Sequence, residues 1–435
     1  LYLQGQSKRL TFVLIKYIKI FGGCSHNRRM VVFQAITWES RDTDEEHLIS
    51  IFGKTEDGKS VCLTTAFTPY FFIKLPGNID NAKVQRIYNI LDENCRESLV
   101  AYSVMKSKDV WGFQNNEEFV FMKLNFKHLQ ARRLVDSFLR RPLDRTPELF
   151  SIFGVRNMKV YESNLDPVLR LMHRTGIQST GWLDTGDKCI RSHLAHVDMD
   201  LFCNDWTTLK PVARDDMAPF VVASVDIECN SSTGKFPDAD IPGDACFQIA
   251  ISLCKFGSDE PYDKTCLCYK TTDPNLEGST IQSYETEREM LEAFHKYIHT
   301  KDVDIITGWN IFGFDMEYIY KRAQITKCNY GFFNLGKLRD TESELVIKKL
   351  SSSALGDNLL KLLPMPGRFI FDMFHEVKKG YKLDSYKLDN VSKLYLGDQK
   401  IDMAPKEMFA RYREGDPVKL REVAEYCIKD TLLPH

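Results

Sequence analysis

The chain has 435 residues, 43% of them hydrophobic and 27% charged, and a formal net charge of −2 at pH 7. That length exceeds what one hydrophobic core ordinarily serves, so two domains are expected. The near-neutral balance excludes a global basic field and leaves any nucleic-acid contact to local patches. Twelve cysteines are scattered without a CxxC pair. Buried, reduced thiols of a cytosolic or nuclear protein fit that scatter better than a disulfide framework or structural zinc.

Residues 1–29 carry six Lys/Arg and no acid. Their apolar run, TFVLIKYIKIF, is too short and too charged to span a bilayer. A first strand, VVFQAIT, begins just after Met30, so Met30 is expected to be the true start, with residues 1–29 an upstream or disordered extension. Residues 30–205 read as an α+β domain. Strands are expected at VVFQAIT, HLISIFG, SVCLTTAF, YFFIKL and EEFVFMKL, and helices near residues 81–92 and 127–139. A third helix is marked by Asp166 as cap, Pro167 at the first position and Gly176 at the exit. Tyr70, Phe71 and Phe72 either fill a core or offer rings to bases.

Residues 206–435 alternate strands and helices, the pattern of an α/β sheet. VVASVDIE, FQIAISLCKF and LCYKTT read as strands. TEREMLEAFHKYI places Met290, Leu291, Phe294, Tyr297 and Ile298 on one helical face. VDIITG is a further strand, and the loop WNIFGFD leads into a helix at about Asp315. Asp416 and Pro417 open a last helix with Leu420, Val423, Ala424 and Cys427 on its apolar face. Tyr426 and Asp430 are four apart on that helix, hence neighbours. The lysine-rich runs VIKKL and HEVKKGYK read as solvated faces.

Four acids in three segments carry the chemistry: Asp226 and Glu228 in VVASVDIECN, Asp315 in NIFGFD, and Asp430 in EYCIKD. Asp226 and Glu228 end a buried strand with one residue between them, so both lean to the same face. Carboxylates gathered at the edge of an apolar core repel one another unless a cation sits among them, and hard oxygen donors suit Mg²⁺ or Mn²⁺. The expected site therefore holds two metal ions for phosphoryl transfer. Tyr426, a neutral hydroxyl beside a carboxylate, suits the aiming of a water. Asn310 and Phe314 are placed to hold a terminal nucleotide by hydrogen bonding and stacking.

DIE, then NIFGFD, then YCIKD, in this order and spacing, resemble the three exonuclease motifs of family B DNA polymerases. The flanking TPYFFIKLP, YESNLDPVLRLM, TGWNI, GRFIFDMF and KLDSYKLDNVSKLYLG resemble polymerase delta and the polymerases of large nucleocytoplasmic DNA viruses. The resemblance runs from Met30 to His435. It implies a ribonuclease H-like 3′–5′ exonuclease domain behind an α+β amino-terminal domain. It also implies that Asp226 bridges two metals, that Glu228 and Asp430 complete the first site, that Asp315 supports the second, and that Tyr426 positions the attacking water. Asn310 and Phe314 would contact the 3′ end, and so would Lys387 and Leu388, where Lys387 replaces the more usual Ser or Thr. A hairpin is expected between about Leu338 and Pro366. The substrate implied is single-stranded or frayed primer–template DNA, without a membrane, at a nuclear or cytoplasmic viral replication site. The polymerase palm, fingers and thumb are absent from this sequence, and a sliding clamp would engage through the missing remainder of such a polymerase. The alternative classes are a free-standing exonuclease and an inactive nucleic-acid-binding module.

Overall fold

The computed structural model describes residues 30–258, 260–352, 356–398 and 403–435, so the expectation for residues 1–29 lies outside it. The amino-terminal part builds two sheets. The larger has the strand order Lys210–Val212, Trp182–Asp184, Val32–Asp42, His47–Lys54, Ser60–Ala66, Met199–Cys203, Cys189–Arg191. It closes over Phe33, Ile49, Ile51, Leu63, Leu171 and Leu201. Because Lys210–Val212 pairs with Trp182–Asp184, this sheet runs past residue 205. The smaller sheet, in the order Leu99–Ser107, Phe119–Phe126, Tyr70–Lys74, Val160–Tyr161, is antiparallel throughout and is backed by helices Asn81–Asn94 and Leu129–Leu139.

Alternation along Tyr70–Lys74 sends Phe71 and Ile73 into the core of that sheet and leaves Tyr70 and Phe72 half-buried on the opposite face. Tyr70 is flanked there by two cations, the Lys123 ammonium 3.8 Å and the Arg170 guanidinium 3.9 Å from its ring centre. The helix Pro167–Thr175 starts and stops as expected. Asp166 accepts from the backbone of Val168 and Leu169, and Gly176 ends the helix at φ +75°.

The second part is a six-stranded sheet ordered Thr280–Tyr284, Asp263–Tyr269, Cys246–Lys255, Val221–Cys229, Ile305–Thr307, Phe369–Ile370. The three strands from Asp263–Tyr269 to Val221–Cys229 are antiparallel, and the next two continue parallel to Val221–Cys229. Odd-numbered residues, Val225, Ile227, Ile249 and Ile251, pack against helices Glu287–Thr300 and Asp315–Ile325. On the even-numbered face, the small residues Ala250, Cys266 and Cys268 let helix Pro417–Leu432 lie close, through Ala424, Cys427 and Ile428. Gln248 and Ser252 pin that helix by donating to the carbonyls of Leu420 (2.8 Å) and Thr431 (3.1 Å).

The two parts meet through buried charge. Lys54 ends a strand of the first sheet. Its ammonium lies 2.5 Å from Asp304 and 3.4 Å from Asp302, while Lys337 lies 2.5 Å from Asp304 and 2.9 Å from Asp302. Asp304 also accepts from the backbone of Val221, the first residue of the Asp226 strand. No helix among the described residues is long and apolar enough to cross a membrane.

Candidate active site

Asp226 and Glu228 lie on the even-numbered face of their strand, opposite Ala250 and Gln248, and so point toward the last helix. On its other side the strand is paired only as far as Ser224, whose partner is Thr307. Both acids therefore stand beyond the carboxyl end of the parallel neighbour, where open α/β sheets form their binding crevices. The chain turns there on Gly308. A β-carbon at this position would sit 2.5 Å from the Val225 carbonyl oxygen, which only glycine avoids.

The loop after Gly308 is held by Asp372. Its two carboxylate oxygens accept from the backbone of Asn310 (2.8 Å) and Phe312 (2.9 Å), and one also accepts from Phe374 (3.0 Å). Asn310 adopts φ +61°, and its side chain fills the space a side chain on Gly313 would need. Asp315 is the first residue of helix Asp315–Ile325, 4% exposed, and the preceding Phe314 makes no side-chain cap. A carboxylate in the first turn is favoured by the helix dipole.

The last helix brings Tyr426 and Asp430 to the strand. Asp226, Glu228, Phe314, Tyr426 and Asp430 all line one cleft of about 690 Å³. Among the described residues, the one group of three or more potential ligand atoms lying within 4.8 Å of one another is Asp226, Glu228 and Cys427. Burial, followed by the carboxylates of Asp226, Glu228 and Asp430, pushes the Cys427 thiol well above the ordinary range. Burial, the neighbouring Cys246 thiol, Glu228 and Asp315 do the same at Cys229. Both thiols thus sit in concentrated negative charge. Hard oxygen donors dominate this cluster, a donor set that fits Mg²⁺ or Mn²⁺.

Asn310, Asp315, Lys387 and Leu388 are not among the cleft-lining residues. Lys387 is exposed and Leu388 half-buried at the start of helix Leu388–Leu396. Other cleft-lining residues were not singled out by the sequence, among them Lys235 and Phe236 on one loop and Lys406 on another element. Phe236 is 78% exposed and meets the Phe314 ring edge-on at 5.2 Å. Asp244 ties their loop down, accepting from the backbone of Ser232 (2.6 Å) and Asp238 (3.0 Å). A turn rich in Gly and Pro gave no local sign of this placement.

With this geometry in view, comparison with known proteins places the chain in a family. The sequence model of the family B DNA polymerase exonuclease domain matches residues 158–391, more than half of the chain. The chain belongs to that family. It is 30% identical to a DNA polymerase of Paramecium bursaria Chlorella virus NY2A, over 93% of this chain and 44% of the relative. It is 29% identical to a DNA polymerase of Acanthamoeba polyphaga mimivirus, over 84% and 26%. It is also 27% identical to the DNA polymerase delta catalytic subunit of Schizosaccharomyces pombe, over 93% and 37%. The chain thus spans less than half the length of these relatives. The family match ends before Tyr426 and Asp430, which the cleft nonetheless sets beside Asp226 and Glu228.

Proposed function

We propose that this chain is the proofreading portion of a replicative DNA polymerase and hydrolyses the 3′-terminal phosphodiester of DNA. The observation carrying this reading is that Asp226, Glu228, Phe314, Tyr426 and Asp430, from three separated segments, line one cleft. A ribonuclease H-like fold is supported by the strand order, three antiparallel strands followed by two parallel ones with the acids at the strand ends. We place the division between the α+β domain and the exonuclease domain shortly after Val212, beyond the last strand of the first sheet.

Two divalent ions, Mg²⁺ or Mn²⁺, would supply an activated water and neutralise charge on the leaving oxygen. Asp226 would hold both, Glu228 and Asp430 one, and Asp315 the other from the start of its helix. Tyr426 presents a neutral hydroxyl that orients the attacking water without adding charge to an acidic cleft. Phe314, edge-on to Phe236, offers a ring against which a terminal base packs. Asn310 contributes through the loop that Asp372 fixes, and Lys387 and Leu388 meet the strand farther out. Single-stranded or frayed ends are favoured because they spare the few kcal/mol, roughly, of unpairing a base. In a full-length polymerase at a nuclear or viral replication site, a sliding clamp would act through the remainder of the protein.

A 5′-labelled oligonucleotide incubated with Mg²⁺, with and without chelator, tests this reading. The expected product is a ladder shortening from the 3′ side only with metal, reduced on the order of a thousandfold in Asp226→Ala. Chelator-resistant cleavage, or release of nucleotides from the 5′ side of a 3′-blocked strand, would overturn it. A free-standing exonuclease would give the same ladder but would not need the amino-terminal sheets that the Lys54 contacts bind in place.

A further inference from the structure

Cys427 occupies a position that the reading above leaves without a task. Tyr426 and Asp430 face the cleft; one residue on from Tyr426, the helix turns Cys427 inward against Ala250, Cys266 and Cys268. The sulfur is 0% exposed. It lies 3.5 Å from the Asp226 carboxylate oxygen Oδ2 and 3.6 Å from the carbonyl oxygen of the same residue. One thiol hydrogen therefore faces two acceptors of a single residue, one on its side chain and one on its backbone. Such a donor ties the carboxylate to its own peptide and limits the side-chain torsions open to it.

We propose that Cys427 is a positioning residue that holds the Asp226 carboxylate in the orientation needed to receive the divalent ions. This rests on the two-metal reading of the site. The thiol is suited to the task because it is neutral and fits a space lined by small residues. A lysine or arginine there would hold the carboxylate more strongly but would compete with the cations for it. A carboxylate free to rotate must be ordered when the cation binds, and the thiol contact meets part of that cost in advance. Its removal is therefore expected to weaken cation binding more than it slows the reaction at saturating cation.

The test is Mn²⁺ binding to the metal-stripped chain without DNA, read from the electron paramagnetic resonance signal of free Mn²⁺. Wild type is compared with Cys427→Ala, Cys427→Ser and Cys427→Val, with Asp226→Ala as reference. Cys427→Ala is expected to weaken Mn²⁺ binding about three- to tenfold, the worth of one modest hydrogen bond. The Mn²⁺ concentration for half-maximal trimming should rise by a similar factor. Cys427→Val, which fills the space without a donor, should behave like Ala and replaces it if Ala does not fold. Cys427→Ser should fall between Ala and wild type, because its hydroxyl restores a donor but reaches less far and has a competing acceptor one helical turn back. Wild-type affinity in both donor-free variants overturns the proposal, and so does a serine variant as weak as alanine. If Asp226→Ala itself binds Mn²⁺ like wild type, the two-metal reading fails, a result distinct from failure of the cysteine role alone.

Discussion

Asp372 holds the backbone of Asn310 across 62 positions of sequence, its Oδ1 oxygen 2.8 Å from the Asn310 nitrogen. The same carboxylate accepts from Phe312 and starts the helix Met373–Gly380, so one buried side chain sets both the loop before Asp315 and the element after the sheet. Asp372→Ala leaves several inward-facing N–H groups without their acceptor. Urea unfolding should show a loss of about 2–4 kcal/mol, and 3′ trimming should fall about tenfold or more. Asp372→Asn keeps one acceptor oxygen and should lie between. An alanine variant as stable and as active as wild type would show that the loop is held by something else.

The hairpin expected between Leu338 and Pro366 is present as the antiparallel pair Val346–Ser352 and Gly356–Leu362; the centre of its turn lies outside the described residues. Its base is fastened to the loop before Asp315 and to the helix Asp315–Ile325, since Lys361 donates from its backbone to the Phe312 carbonyl (2.9 Å) and from its ammonium to Glu317 (2.5 Å). On the proposed reading, an arm anchored there would meet DNA on its way to the cleft. Deleting residues 351–356 should slow trimming of duplex ends several-fold more than trimming of single strands. Equal losses on both substrates, compared in parallel time courses, would remove this role.

The buried charges between the two parts yield a stability prediction. Lys54 and Asp304 are each 2% exposed, and removing Lys54 leaves the buried Asp304 carboxylate with Lys337 as its remaining ion-pair partner. Lys54→Met should cost about 1–3 kcal/mol in chemical denaturation, less than the full penalty of an unpaired buried charge because Lys337 still faces Asp304. Lys54→Met combined with Asp304→Asn should cost less than the two single changes added together. Strict additivity would mean that the two side chains do not act as a pair.

A further prediction concerns acid. His299 and His295 both approach the Asn334 carbonyl, at 3.0 and 3.3 Å, and His196 lies edge-on to His299. Burial, then the Arg368 guanidinium and the His295 ring, brings His299 down to about 3. Burial also lowers His295, with Arg368 and His196 adding to it and Glu292 opposing. It lowers His196 as well, where Arg339 and Arg368 add and Asp340 opposes. With the folded value below the unfolded one, the unfolded chain binds the proton first as pH falls, so stability drops from about pH 6.5 downward. The urea midpoint should be lower at pH 5.5 than at 7.5. His299→Gln, which keeps a donor toward Asn334, should shrink that difference, and an unchanged difference would clear His299 of responsibility.

Features written in adjacent residues were legible in the sequence: the Asp166, Pro167 and Gly176 helix signals, the alternation that aims Asp226 and Glu228 together, and the Tyr426–Asp430 spacing. What escaped was set by distant partners. Asp372 was visible only as part of GRFIFDMF, because its ligands are backbone groups some 60 positions away. Leu99–Ser107 was missed as a strand because it is an edge strand with Val104 and Met105 exposed, so its alternation does not report a buried face. Lys54 and Lys337 gave no sign of burial, since long cations are ordinarily solvated. The cysteines were expected to be buried thiols, and every cysteine among the described residues is buried and outside any disulfide. Nothing local told Cys427, which touches Asp226, from the rest.

The Lys54 contacts also bear on modularity. Cut from the first sheet, the exonuclease half would lose the Lys54 ammonium and leave Lys337 as the ion-pair partner of Asp302 and Asp304, the second of which accepts from the first residue of the strand that carries Asp226. Such a half is expected to be less stable alone than beside the first sheet. A lysine in the first strand layer, far in sequence from Asp226, thus ties the stability of one part to the presence of the other.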